Sequence, residues 1–190
     1  MPHVVSADGP QSQDQLDRLS AYAEASMVAG NQCWVQLGHP GRQASPLVNS
    51  LPVGPSDIGL GGVQGAVEPL TDAQIIETIE RFAFAAGVVK QCGFSGVQLH
   101  GAHGYLVSSF LNPLVNSRTD RWGGSLENRA RLLLDTLAAM REAVGPDFPV
   151  SVKVNSSDFQ HGGFSLGDMH RLAGWLDDAG LDLLEISGGN

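Results

Sequence analysis

Four short β-branched or aliphatic runs, Cys33 to Leu37, Gly96 to His100, Val150 to Val154 and Asp182 to Ser187, alternate with long amphipathic segments. That punctuation constrains the fold more than any other feature, because strands separated by helices form a parallel sheet with right-handed crossovers. The spacing predicts a first helix over Gln13 to Ala29, opened by Ser12 with Gln15 as a capping box and closed by Gly30. A second begins at Thr71, again with a glutamine three residues on, and aligns Ile75, Ile76, Ile79, Phe82, Ala83 and Ala86 in one stripe. A third, Leu126 to Val144, aligns Ala130, Leu133, Leu134, Leu137 and Met140, and a fourth runs from a Ser165/Asp168 cap towards Gly180.

The strand faces separate the two parallel architectures. Val35 and Leu37 oppose Trp34 and Gln36, Val97 and Leu99 oppose Gln98 and His100, the valines of "VSVKV" oppose Ser151 and Lys153, and Leu184 and Ile186 oppose Glu185 and Ser187. A doubly wound sheet is covered by helices on both faces and gives near-continuous apolar strands. Polar residues on one face of every strand fit a (β/α)8 barrel better, with aliphatic residues under the helices and a functional lumen mouth. Neither Gly-rich stretch after a strand spells a dinucleotide fingerprint.

Composition narrows the function. At 190 residues with 42% hydrophobic and 16% charged content, the chain reads as one soluble domain over residues 1 to 190. A formal charge of -9 repels a phosphate backbone, so a nucleic-acid partner is not expected. Cys33 and Cys92 are too few for a disulfide framework and read as reduced core thiols, which favours the cytoplasm, and no apolar run is long enough for a membrane span or signal peptide.

In a barrel the loops after the strands carry the chemistry. Residues 38 to 70 exceed the usual ~12 to 15 residue limit for a structureless loop and suggest a functional excursion or a lid. The next such loop opens with "GAHGYLVSSF". His100 ends its strand on the polar face, and Gly101, Ala102 and Gly104 let the backbone turn tightly enough for His103 and Tyr105 to reach the same mouth. Neutral imidazoles there can hold a substrate oxygen and stabilise charge developing on it, and a positioned phenol can donate a proton to a carbanion. Out of context a histidine pair is as readily structural as functional, and H-x-x-H spacing also suits zinc, although no partner motif accompanies it. Gln36 alone reads as structural. Lys153 among valines needs an anionic or strongly polar partner, either a ligand or Glu185 one strand away. Asn116, Arg118, Asp120 and Arg129 are expected to knit the long loop to the third helix.

The segments "VQLGHPGRQ", "GFSGVQLHGAHGYLVSSFLNPLVNSRTDRWGGSLENRARLL" and "PVSVKVNSSDFQHGGFS" resemble the Old Yellow Enzyme family of NAD(P)H:flavin oxidoreductases, from about Trp34 to Gly189. The resemblance implies a (β/α)8 barrel that binds FMN, takes hydride from NADH or NADPH and passes it to a small-molecule activated alkene. It assigns His100 and His103 to the substrate oxygen, Tyr105 to proton donation, and Gln36 to the flavin pyrimidine edge. Lys153 stands where many members carry arginine near flavin N1 and O2, a departure that bears on the redox potential because an ammonium lacks the guanidinium fork. A whole barrel needs about 250 residues, and the family's order makes the four readable strands the third to sixth, with "HVV" at residues 3 to 5 as the end of the second. The chain is therefore expected to be the middle of an enzyme, lacking the loops that commonly bind the flavin phosphate. The alternative is a non-catalytic half-barrel whose open edges bind a partner or form a homo-oligomer.

Overall fold

The structure, a computed structural model, describes residues 11–45, 47, 51–60 and 66–188. The "HVV" run expected to end a preceding strand lies outside the described residues. In chain order the elements are α1 (Gln13–Ser26), β1 (Trp34–Leu37), β2 (Val53–Gly54), β3 (Glu68–Pro69), α2 (Asp72–Gln91), β4 (Gly96–Gly101), α3 (Leu106–Leu111), α4 (Leu126–Val144), β5 (Val150–Asn155), α5 (Leu166–Asp178) and β6 (Leu183–Ser187). Single 3-10 turns occupy Val28–Gly30 and Gly41–Gln43.

Strands β1, β4, β5 and β6 form one parallel sheet in that order. The register sets Gln36, Gln98, Ser151 and Leu183 in one row across the lumen face, with His100, Lys153 and Glu185 in the row nearer the mouth. The opposite face carries Val97, Leu99, Val150, Val152 and Val154, all fully buried under the helices. Burying each such side chain contributes roughly 1.5 to 3 kcal/mol, so the alternation read in the sequence drives the sheet onto α2 and α4, which also pack on each other. At the bottom of the lumen face the Trp34 indole lies over Gly96, where a Cβ would come within 2.5 Å of the ring.

The local caps behave as expected. Ser12 with Gln15, Thr71 with Gln74 and Ser165 with Asp168 each form a reciprocal capping box. Three expectations need correction. The first helix ends at Ser26, because Ala29 is left-handed (φ 61°) within a separate turn. Ile76 is not on the buried stripe of α2 and is 39% exposed. The loop after β4 contains α3, whose six residues are all buried.

The excursion between β1 and α2 is held by the short parallel pair β2–β3. Arg118 stitches it to the loop after β4, donating Nη1 to the carbonyls of Pro55 (3.0 Å) and Leu70 (2.7 Å) while its fork grips Asp120. Asn116 Nδ2 donates to the carbonyls of Phe110 and Trp122, both at 2.8 Å, and buried Arg129 donates to those of Leu111 and Gly124. Of the four residues expected to knit this loop to the third helix, Arg129 does so from α4, whereas Asn116 and the Asp120 carboxylate brace the loop internally and Arg118 ties it to the excursion before α2.

Candidate functional site

Strand β4 brings His100 to the top of the lumen face and then turns. At Gly101 a Cβ would meet the Lys153 carbonyl at 3.0 Å, so a side chain here would have to shift the β5 backbone by a few tenths of an ångström. The turn continues through His103 (φ 61°) and Gly104 (φ 71°) to Tyr105, the residue that starts α3. The His103 ring meets that of His100 edge-on, with centroids 5.1 Å apart, and the Tyr105 ring lies 4.9 Å from His100 on a tilted plane. The three side chains singled out in the sequence therefore converge.

His100 is only 7% exposed. Burial, then the neighbouring charges of His103 and Lys153, push its pKa down to about 4 against a smaller opposing effect of Glu185, so the imidazole is neutral at pH 7. Its Nδ1 accepts the Ala102 N–H at 3.3 Å, which assigns the proton to Nε2 and makes that nitrogen a donor.

Below the histidines a chain of hydrogen bonds crosses the lumen face. Gln36 Nε2 donates to Gln98 Oε1 (2.5 Å), Gln98 Nε2 donates to Glu185 Oε2 (2.9 Å), and Lys153 Nζ pairs with Glu185 Oε1 (2.8 Å). The hydrogen bonds from Lys153 and then Gln98 hold the Glu185 carboxyl below its usual range. Lys153 thus has the protein partner that the sequence offered as an alternative to a ligand.

The donor set suits the polar edge of a flavin. Carboxamides at Gln36 and Gln98 supply both N–H donors and carbonyl acceptors, which an edge of alternating C=O and N–H requires, and the Gln36 side is open to solvent. Lys153 supplies a cation that Glu185 partly offsets. Among the described residues no group of three or more His, Cys, Asp or Glu is placed to hold a metal ion.

Residues 10–189 match the model of the NADH:flavin oxidoreductase / NADH oxidase family. The chain belongs to this family. It is 37% identical over 181 residues to the NADPH dehydrogenase of Halalkalibacterium halodurans, an alignment covering 95% of the chain and 52% of that relative. It is 37% identical over 183 residues to the NADH-dependent flavin oxidoreductase nadA of Aspergillus parasiticus, covering 94% of the chain and 41% of the relative. Among solved structures, morphinone reductase in complex with tetrahydroNAD superposes with a TM-score of 0.83 at 29% identity, over 94% of this chain and 55% of that one. The Old Yellow Enzyme homologue of Zymomonas mobilis gives 0.83 at 27% identity, over 96% and 55%. The chain spans about half the length of these relatives, and its four-stranded parallel sheet is part of a (β/α)8 barrel.

Several residues of the site escaped sequence reasoning. Gln98 could have been found, since it shares the polar face with Gln36. Gln43, Asn155 and Ser187, which all hold His103, carried no local signal.

Proposed function

We propose that the chain supplies the substrate-binding mouth of an FMN-dependent NAD(P)H oxidoreductase of the ene-reductase type, acting on small activated alkenes such as α,β-unsaturated carbonyl or nitro compounds. The convergence of His100, His103 and Tyr105 above an amide-rich lumen row carries the reading. Bound FMN would take hydride from NADH or NADPH and deliver it to the alkene. The neutral His100, with Nε2–H free to donate, and His103 beside it bind the carbonyl or nitro oxygen and stabilise the charge that develops there. The Tyr105 hydroxyl, on the ring packed against His100, gives its proton to the α-carbon. Gln36 holds the pyrimidine edge and Lys153 places positive charge beside it. The free thiols of Cys33 and Cys92 support a cytoplasmic setting.

Tyr105→Phe tests the assignment. In FMN-loaded protein, stopped-flow traces should show alkene reduction slowed about 10- to 10⁴-fold, the usual contribution of a general acid, with flavin reduction by NAD(P)H near normal. Equal impairment of both half-reactions would reject the role. Loss of activity on chelation, with one equivalent of zinc by elemental analysis, would instead favour a metal site at the histidine pair.

A further inference from the structure

His103 occupies the left-handed region at φ 61°, a conformation that residues with a side chain adopt only when their surroundings impose it. Glycine would take this φ without strain but would remove the imidazole. The restraint comes from three separate strand ends. The carbonyl of His103 accepts Gln43 Nε2 (2.6 Å) from the turn after β1, its ring Nε2 meets Ser187 Oγ (2.6 Å) at the end of β6, and its N–H donates to Asn155 Oδ1 (3.1 Å) at the end of β5.

The Asn155 contact is itself braced. Asn155 is buried, and its Nδ2 donates to Asp158 Oδ1 (3.2 Å), while Asp158, also buried, accepts the Phe164 N–H on Oδ2 (3.0 Å). Both carboxylate oxygens of Asp158 therefore accept, Oδ1 from Asn155 and Oδ2 from Phe164. With that oxygen accepting, the Asn155 amide faces it with its NH₂ group, which aims its own Oδ1 at His103. The reverse orientation would set oxygen against oxygen and N–H against N–H. An aspartate at 155 would place two carboxylates together, and an aliphatic residue would orphan the His103 N–H.

We infer that Asn155, oriented by Asp158, is a positioning residue that locks the left-handed turn at His103 and thereby aims its imidazole at the substrate oxygen. This rests on the substrate-binding reading of His103 given above. Through this pair, the loop between β5 and α5 sets the geometry of the mouth without touching substrate.

A double-mutant cycle in FMN-loaded protein tests the inference, using 4-hydroxybenzaldehyde as a phenolate probe whose binding is followed by its long-wavelength charge-transfer absorbance. Asn155→Ala should raise the probe Kd about 5- to 10-fold when His103 is present, the scale of one lost neutral hydrogen bond, and should have no further effect in the His103→Ala background. Asn155→Ser, which keeps a shorter acceptor, should recover part of the loss, and it serves in the same cycle if the alanine variant fails to retain FMN. An equal loss in both backgrounds, or no loss with His103 present, overturns the inference while leaving the reading of His103 intact. If His103→Ala alone leaves probe binding unchanged, the substrate-binding reading falls and the inference falls with it.

Discussion

The centre of the sheet and its β6 edge are built from the same alternating pattern, yet they are covered very differently. On β4 and β5 the helix-facing valines and Leu99 are 0% exposed, whereas on β6 the helix-facing Ile186 is 52% exposed and Leu183, on the lumen face, 50%. No strand lies beyond β6 among the described residues. The difference divides the candidate site. His100, Lys153 and Asn155 stand on strands held by packing, while Glu185 and Ser187, which anchor the Lys153 ammonium and the His103 ring, stand on a strand held mainly by its ladder to β5.

The largest effect expected from this contrast is on stability. Leu99→Ala should cost about 2 to 5 kcal/mol in urea unfolding, since it opens a cavity among side chains that cannot collapse into it, while Ile186→Ala should cost no more than about 0.5 kcal/mol. Similar losses at the two positions would erase the distinction between centre and edge.

A pH titration sharpens it next. Above pH 6.5 His100 is neutral in both folded and unfolded protein, and as the pH falls the unfolded chain takes up its proton first. Stability should therefore decline between pH 6.5 and about 4, by up to about 3 kcal/mol, and His100→Gln should flatten that part of the curve. An unchanged slope in the variant would mean that the buried imidazole is not the group responsible.

The smallest energetic effect lies at the edge itself. The isolated chain should self-associate through β6, and Ile186→Lys should shift light-scattering masses towards monomer while changing stability by no more than about 0.5 kcal/mol. A monomeric mass for the unaltered chain would show that the uncovered edge is no liability.

What was legible in the sequence was local. Capping boxes announce themselves within four residues, and strand faces alternate with period two, so the starts of α1, α2 and α5 and the lumen positions of Gln36, His100 and Lys153 followed directly. Helix α3 did not follow, because "LVSSFL" is buried on all sides and so short that it has no amphipathic period to display. The restraints on His103 were hidden for a different reason. Gln43, Asn155 and Ser187 lie 60, 52 and 84 residues away, and only the strand register brings them to one point. The histidines could be nominated from spacing, but the groups that aim them could not.

The indole over Gly96 matters beyond its packing. Trp34 pairs in register with Gly96, two residues below Gln36 and Gln98, so the indole stands at one end of the polar row and the histidines at the other. Any side chain at position 96 would have to displace that ring, so the floor of the row depends on a residue that has none.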